Sequence, residues 1–130
     1  MSEDSQNPRP IPPGVTEEGL DAALTAFAAA IGSDKVSTDP ELLQEFQDPY
    51  QVPGTATNLP SAVVSPTSVE DVQAIVRLAN EHTVPLWPIS RGKNNGYGGA
   101  APWVRGAVML SFREMQKVEI NEELGYAMVE

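Results

Sequence analysis

A glycine-rich segment directly after an apolar run constrains the fold of this chain more than any other feature. Residues 88–99 contain four glycines and two asparagines, and the apolar residues 84–89 lead into them and predict a buried strand. Glycine reaches backbone conformations that a Cβ forbids, and asparagine tolerates the left-handed region better than most residues. Successive N–H groups in such a segment can point into one concavity and bind a phosphate. The sequence therefore predicts either a dinucleotide pyrophosphate site or a tight structural turn at the end of this strand.

The segment differs from the two best-known phosphate-binding loops. It lacks the G-x-G-x-x-G spacing of the Rossmann fingerprint, and Lys93 is followed by Asn94 where a Walker loop has Ser or Thr. A pyrophosphate bound here is therefore expected to be held in another way, mainly by backbone N–H groups.

Charge is distributed unevenly along the chain. The 130 residues carry a formal charge of −10; residues 1–50 hold ten acids and two bases, and residues 51–130 hold eight acids and six bases. Three of those six bases, Arg91, Lys93 and Arg105, lie in or beside the glycine-rich segment. An acidic chain argues against a nucleic-acid partner, since basic patches supply most of that affinity. The local bases favour one small anionic ligand, with scattered solvated charge as the alternative.

Several classes of protein are excluded by composition. No apolar run approaches the ~20 residues of a membrane span, so no membrane association is expected. The N-terminus lacks a basic start followed by an apolar core, so the sequence predicts no secretory signal and a cytoplasmic location. There is no cysteine and one histidine, which leaves little for a metal site.

Hydrophobic periodicity predicts an α+β fold. Helices are expected at residues 16–31, at 39–46 and from about 67 onward. Strands are expected at residues 35–37, 62–64, 84–89, 107–111, 117–120 and 126–130. The order of strand 62–64, helix and strand 84–89 predicts a βαβ unit with parallel strands.

Capping residues and buried faces are also predicted. Thr16 is expected to cap the first helix and Gly32 to end it. Its buried face is expected to hold Leu20, Ala23, Leu24, Phe27, Ala28 and Ile31. Thr67 and Glu70 match a capping box for the later helix, with Ser68 as a competing cap. The buried face of that helix is expected to hold Val72, Ile75, Val76 and Ala79.

Several motifs together resemble a known family. They are Pro-Ser-Ala-Val-Val-Ser-Pro at 60–66, Val-Glu-Asp-Val-Gln at 69–73 and Asn-x-Gly-Tyr-Gly-x-Ala-Ala-Pro at 94–102. The chain resembles the vanillyl-alcohol oxidase / 4-cresol dehydrogenase / eugenol oxidase family, which has an FAD-binding domain of the PCMH type. The resemblance runs from about residue 11 to residue 130 and is strongest from 61 to 102. It implies the N-terminal part of that domain, with short strands, two or three helices and a βαβ unit.

The resemblance implies which residues hold the FAD pyrophosphate. They are Ile89, Ser90, Arg91, Gly92, Lys93, Asn94, Asn95, Gly96, Gly98 and Gly99. Two positions depart from the family pattern. Arg91 stands where relatives usually have a small or apolar residue, and Trp103 stands where a basic residue is common.

Tyr97 is the one candidate catalytic residue. Without the resemblance, a tyrosine at this place would more often serve packing or lie at the surface. In the resembled enzymes the tyrosine at this place faces the phenolic oxygen of the substrate and, with other donors, stabilises a phenolate. Hydride then passes from a benzylic or allylic carbon to FAD, leaving a quinone methide. The resemblance thus implies an FAD-dependent oxidoreductase acting on para-substituted phenols.

The resemblance also implies how the chain is organised. Residues 1–14 are expected to form a flexible N-terminal arm, and residues 15–130 the N-terminal portion of the FAD-binding domain, truncated at its C-terminus. The alternative is a non-catalytic fragment that binds FAD or a nucleotide and has no activity of its own. Partners implied for a full-length protein are a phenolic substrate, a second copy of the chain and, for a dehydrogenase, a cytochrome. His82 and Trp87 are interpreted as a surface and a core residue, respectively.

Overall fold

A computed structural model describes residues 9–50, 52, 58–91 and 99–130. It has three α-helices, α1 (Glu17–Ile31), α2 (Pro40–Gln44) and α3 (Val69–Glu81). Its six strands are β1 (Val36–Ser37), β2 (Ala62–Val64), β3 (Leu86–Ile89), β4 (Val108–Ser111), β5 (Val118–Asn121) and β6 (Tyr126–Val129). Short 3₁₀ turns occupy Ser33–Lys35 and Phe112–Glu114. The mixed helix and strand content predicted from the sequence is confirmed.

The first four strands form one mixed sheet in the order β1-β2-β4-β3. Both β2 and β3 are parallel to β4, and β1 is antiparallel to β2. The predicted βαβ unit is therefore present, but β4 lies between its two strands. The central position of β4 agrees with its burial, because all four of its residues are buried and a strand between two parallel neighbours is covered on both faces.

One face of this sheet is covered by α1 and α3. Thr16 caps α1 through a 3.0 Å hydrogen bond from the Gly19 N–H to its hydroxyl, and α1 ends at Gly32, whose φ is +108°. Both predicted ends are confirmed. The core between the helices and the sheet contains Leu20, Ala23, Leu24, Phe27, Ile31, Ala62, Val64, Ile75, Leu78, Ala79, Val84, Val108 and Leu110.

Two predictions for α3 are wrong in detail. The N-cap is Ser68, whose hydroxyl accepts from the Asp71 N–H at 3.1 Å, so the capping box that begins at Thr67 does not form. Val76 is 43% exposed, whereas Leu78 is buried. Both side chains suit the apolar stripe of a helix. Periodicity alone does not decide between the two. Packing against α1 decides that the helix face with Leu78 is the buried one.

The Asp71 carboxylate holds the start of α3 to the edge of the sheet. It accepts hydrogen bonds from the Thr67 N–H and from Lys35 Nζ, both at 2.9 Å. The Lys35 ammonium, followed by the Thr67 N–H, lowers the pKa of Asp71 below its ordinary value. This ion pair therefore joins the 3₁₀ turn before β1 to the first turn of α3.

The opposite face of the sheet packs against α2 and the residues that flank the glycine-rich segment. This second core contains Leu43, Phe46, Val63, Ile89, Ala100 and Met109. Trp87, interpreted as a core residue, is half-buried and packs against it. The sheet is thus a middle layer with a packed core on each side.

Residues 9–14 lie against the main body of the domain. Pro10 and Pro12 are buried. Gly106 has a φ of +81°, and a Cβ at Gly106 would lie 2.6 Å from both Ile11 C and Pro12 N. The chain passes so close here that only glycine fits. The predicted arm at 1–14 includes these packed residues, and the domain boundary after residue 14 stays a prediction.

Strands β5 and β6 form a separate antiparallel hairpin. In its register Val118 is opposite Val129 and Ile120 is opposite Ala127. Directly opposed residues share a face, so these four apolar side chains lie together. All four are exposed, because no described helix or strand packs extensively against the hairpin.

Candidate cofactor-binding site

The glycine-rich segment leaves the sheet at the edge where the parallel strands end. Ile89 closes β3 and pairs in register with Ser111, which closes β4. Ser90 and Arg91 follow immediately, and both are exposed. In open sheets of parallel strands, ligands bind in the crevice outside the carboxyl ends of the strands. The start of the segment therefore lies at the edge of the sheet that most often holds a ligand.

Both ends of the segment are anchored in the second core. Ile89 is 7% exposed and Ala100 is 5% exposed, and both pack in the cluster formed with α2. The two ends of the segment therefore have fixed positions on the same face of the sheet.

The returning end passes close to the turn after α2. A Cβ at Gly99 would lie 3.3 Å from Pro49 Cδ and 3.4 Å from Asp48 Cα. Such a contact is tight, so any larger side chain would push this end away from its neighbour. The Asp48 carboxylate accepts a 2.9 Å hydrogen bond from the Tyr50 N–H and so closes its own turn. No role is predicted from the sequence for Asp48 and Pro49, although an Asp-Pro pair is a recognised turn signal.

Few of the predicted site residues fall within the described part of the chain. Ile89, Ser90, Arg91 and Gly99 are described, and they lie at the two ends of the segment. The remaining site residues, Gly92, Lys93, Asn94, Asn95, Gly96, Tyr97 and Gly98, lie outside the described residues. Their assignment to the pyrophosphate and to the substrate stays a prediction.

Of the basic residues near the segment, Arg91 and Arg105 are described, and they do not line the same cavity. Arg105 lines a cavity together with Arg9 from the N-terminus, and Arg91 is not among the residues that line this cavity. Arg91 makes no ion pair with any residue that the structure describes. Arg91 therefore lies after the end of β3, where the pyrophosphate is predicted to bind. Arg105 lies before the start of β4 and lines the cavity that contains Arg9.

His82 and Trp103 are two residues for which the sequence predicts no catalytic role. His82 is the C-cap of α3, and its N–H donates to the Leu78 carbonyl. Since α3 leads into the start of β3, His82 lies at the sheet edge opposite the glycine-rich segment. Trp103 is 83% exposed, and its carbonyl accepts a 3.3 Å hydrogen bond from Asn58 Nδ2. Neither residue has a described contact with the ends of the segment.

The described residues suit a bound pyrophosphate. The Ser90 hydroxyl is an exposed donor, the Arg91 guanidinium supplies positive charge, and Gly99 permits close backbone packing. Hydroxyl, guanidinium and backbone N–H groups are the donors that phosphates accept from most often. Within the described residues, no group of three or more His, Asp or Glu side chains could hold a metal ion, and no helix is long and apolar enough to cross a membrane.

Comparison with known proteins gives a family for the segment and the sheet that holds it. Residues 60–130 match a family model described as an FAD binding domain. The match contains β2, α3, β3, β4 and the hairpin, and it begins just before the first buried strand. FAD, the cofactor predicted from the sequence, is the ligand of this domain family.

Several relatives have names that refer to phenols. The 4-cresol dehydrogenase (hydroxylating) flavoprotein subunit of Pseudomonas putida is 41% identical over 100% of this chain and 25% of that protein. The structure of 4-ethylphenol oxidase from Gulosibacter chungangensis, in complex with isoeugenol, matches with a TM-score of 0.86 and 43% identity over 92% of this chain and 23% of that one. The structure of p-cresol methylhydroxylase with substrate bound matches with a TM-score of 0.84 and 41% identity over 93% and 24%. The predicted resemblance is confirmed, and the chain spans about a quarter of the length of these relatives.

Proposed function

Because this chain belongs to the FAD-binding domain family, we propose that it forms part of the flavin site of an oxidoreductase that acts on para-substituted phenols. The observation that carries this proposal is the identity of 41% to 43%, spread over nearly the whole chain, to proteins named for 4-cresol and 4-ethylphenol. The matches include the glycine-rich segment and the strands that anchor it. The chain spans a quarter of the first of these relatives, so the activity is proposed for a full-length protein that contains it.

In this proposal the chain holds the pyrophosphate of FAD. Backbone N–H groups of residues 90–99 and the Ser90 hydroxyl donate hydrogen bonds to the phosphate oxygens, and Arg91 and Lys93 supply positive charge. Bound FAD supplies the hydride acceptor, and the protein supplies binding, orientation and electrostatics. The close contact of Gly99 with Asp48 and Pro49 supports a segment whose ends are fixed before the cofactor arrives.

Tyr97 is proposed to act on the substrate. Its hydroxyl donates a hydrogen bond to the phenolic oxygen and stabilises the phenolate, from which hydride loss at the benzylic or allylic carbon is easier. A donor that is already oriented stabilises developing charge without reorganisation, which makes it more effective than water. The proposal is supported by the Asn-x-Gly-Tyr-Gly-x-Ala-Ala-Pro motif at 94–102.

A second subunit is also proposed. The Pseudomonas putida relative is named as a flavoprotein subunit, and we infer that a full-length protein containing this chain assembles with another subunit, either a further copy or an electron-accepting cytochrome. Size-exclusion chromatography with light scattering distinguishes a homo-oligomer from a monomer. Absorbance in the haem Soret region of the co-purified complex tests for the cytochrome.

The function is tested in a full-length protein that contains this chain. A 4-alkylphenol added without oxygen should bleach the flavin absorbance. Tyr97→Phe should keep the FAD content and the melting temperature, and should slow flavin reduction by about 10- to 100-fold, since one preorganised donor contributes up to 10²–10³. Gly99→Val should instead lower the FAD content. Unchanged flavin reduction in Tyr97→Phe would remove the proposed role of Tyr97, and absence of bleaching by any para-substituted phenol would remove the substrate class.

The 130-residue chain is expected to behave differently from the full-length protein. The alternative function is a fragment that binds FAD or a nucleotide without turnover, and the quarter-length match to the relatives favours it for this chain alone. We expect the isolated chain to retain little FAD after gel filtration and to oxidise no phenol. Phenol-dependent flavin bleaching by the isolated chain would contradict this expectation.

A further inference from the structure

An arginine that the flavin proposal does not use follows the strand next to the glycine-rich segment. β4 ends at Ser111, which pairs in register with Ile89 at the end of β3. The 3₁₀ turn Phe112–Glu114 comes next, and Arg113 is its central residue. Arg113 therefore lies at the same edge of the sheet as the start of the glycine-rich segment.

The backbone around Arg113 is held in a defined turn. Phe112 is half-buried and packs against the core between the sheet and helices α1 and α3. The Arg113 carbonyl accepts a 2.7 Å hydrogen bond from Gln116 Nε2, and the Met115 N–H donates to the Phe112 carbonyl at 3.1 Å. The Arg113 side chain thus extends from a turn that is fixed to the sheet.

The Arg113 guanidinium contacts two consecutive residues directly after α2. Its Nη1 donates to the Glu45 carboxylate at 3.1 Å, and its central carbon lies 4.9 Å from the centre of the Phe46 ring. Phe46 is 1% exposed and belongs to the second core, together with Ile89 and Ala100. An ion pair and a cation–π contact therefore meet at a residue that shares its core with both ends of the glycine-rich segment.

These contacts differ from those of an ordinary surface ion pair. Arg77 and Glu81 on α3 form such a pair, with side chains that are 62% and 54% exposed. The Arg113 side chain is 36% exposed, and Glu45 is 55% exposed. Exposed ion pairs contribute little by themselves. We therefore expect the contact of the Arg113 guanidinium with the buried Phe46 ring to contribute at least as much as the ion pair.

The turn after α2 connects these contacts to the returning end of the segment. The Gln47 N–H donates to the Gln44 carbonyl at 3.1 Å, so the last helical turn continues to Gln47. Asp48 and Pro49 follow directly, and a Cβ at Gly99 would lie 3.3 Å from Pro49 Cδ and 3.4 Å from Asp48 Cα. A displacement of the last turn of α2 would therefore move the surface against which Gly99 packs.

We propose that Arg113 is a positioning residue for the flavin site, because it fixes the end of α2 to the end of β4 and so holds the turn against which Gly99 packs. The inference rests on the proposed function, in which Gly99 belongs to the segment that binds the FAD pyrophosphate. Arg113 acts through Phe46 and the turn, without touching the cofactor. A site whose supporting turn is docked for only part of the time binds its ligand with an affinity reduced by that fraction.

The test measures FAD affinity in a full-length protein that contains this chain. The apoprotein is titrated with FAD and followed by flavin fluorescence. Arg113→Gln removes the charge from both contacts and should raise the Kd for FAD by about threefold to tenfold. Arg113→Lys keeps a cation near Glu45 and Phe46 and should restore most of the affinity. Glu45→Gln leaves the cation on the ring and should have a smaller effect than Arg113→Gln.

Two controls separate positioning from loss of stability. Arg77→Gln removes an arginine from an exposed ion pair on α3 and should leave the Kd for FAD unchanged. Asp71→Ala removes two hydrogen bonds at the start of α3. It is expected to lower the urea midpoint at least as much as Arg113→Gln and to leave the Kd for FAD unchanged. An equal rise of the Kd in Asp71→Ala and Arg113→Gln, or an unchanged Kd in Arg113→Gln, would overturn the proposal.

A second measurement is independent of FAD. In the ¹⁵N-labelled 130-residue chain, Arg113→Gln should shift the amide resonances of Tyr50 and Gly99, although neither is among the described contacts of the Arg113 guanidinium. Arg77→Gln should leave both resonances unchanged. An unshifted Gly99 resonance in Arg113→Gln would contradict the positioning role. If the unaltered full-length protein binds no FAD, the flavin proposal fails, and the Gly99 resonance still decides whether Arg113 positions this end of the segment.

Discussion

The four-stranded sheet and the β5–β6 hairpin are built from similar residues and meet very different surroundings. In β4, Val108 and Met109 are fully buried, whereas in the hairpin Val118 is 57% exposed and Ile120 is 73% exposed. The sheet has α1 and α3 on one face and α2 on the other. The hairpin pairs with itself and has no extensive cover among the described elements. The stabilisation of an apolar strand therefore depends on how much of its apolar surface is covered by other elements. Its own composition does not determine whether such elements are present.

The difference predicts two levels of stability within one chain. A two-stranded hairpin is only marginally stable in water unless it packs against another element. We expect the hairpin to open locally at a lower free energy than the sheet, which should unfold with the whole domain. Three comparisons between matched positions test this expectation, and a fourth prediction concerns the pH dependence of one of those positions.

The largest effect is expected from core truncation. Phe27 is fully buried between α1 and the sheet, and Phe27→Ala should lower the free energy of unfolding by about 3–5 kcal/mol, through lost burial and the cavity that remains. Ile120→Ala, in the hairpin, should change it by less than about 0.5 kcal/mol. Urea denaturation followed by circular dichroism measures both. A loss at Ile120 equal to that at Phe27 would mean that the hairpin is covered in solution.

Two glycines with positive φ give a second matched pair. Gly106→Ala should cost about 3 kcal/mol, because φ is +81° and the new Cβ would lie 2.6 Å from Ile11 C and Pro12 N. Gly125→Ala, in the hairpin turn, has a φ of +67° and nothing within 4 Å. It should cost about 1 kcal/mol, the conformational term alone. Similar midpoints in urea for the two variants would contradict the close packing of residues 9–14.

A third pair compares two ion pairs. Asp71→Ala removes the acceptor for the Thr67 N–H and for Lys35 Nζ, and should cost about 1–2 kcal/mol, as expected for hydrogen bonds to a charged group. Glu119→Ala removes the exposed partner of Lys117 in the hairpin and should leave the urea midpoint unchanged, since exposed pairs contribute little. A larger shift of the urea midpoint for Glu119→Ala than for Asp71→Ala would show that the ion pair of the hairpin contributes more to stability than that of the sheet.

The smallest effect concerns pH. The pKa of Asp71 is lowered by Lys35 and by the Thr67 N–H, so the folded chain binds its proton less readily than the unfolded chain. The stabilisation is therefore complete above the unfolded pKa of about 3.9 and is lost as the pH falls through the lower native pKa. Between pH 5 and pH 3, the urea midpoint of Asp71→Ala should fall less than that of the unaltered chain. Parallel curves for the two proteins would show that Asp71 does not contribute to the acid sensitivity.

Prediction from the sequence succeeded where one segment determines its own structure. The cap at Thr16 and the end of α1 at Gly32 follow from local pattern and are present. The predicted buried face of α1 is also present, except that Ala28 is half-buried. Prediction was wrong where two local choices were nearly equal in energy. Thr67 and Ser68 are both good caps, and Val76 and Leu78 both fit the apolar stripe of α3. Contacts with Lys35 and with α1, which are distant in sequence, selected one of each pair.

For the candidate site, the sequence by itself determined the family and its cofactor, FAD. The glycines, the motif at 94–102 and the apolar run before them need no tertiary contact to be recognised, because each is a pattern of neighbouring residues. Only the tertiary structure decided that β4 lies between β2 and β3, that Ile89 and Ala100 anchor both ends of the segment, and that Arg105 and Arg9 line one cavity. These arrangements depend on packing between residues that are far apart in the chain. Such packing is the outcome of competition among many similar apolar surfaces, and no single segment encodes it.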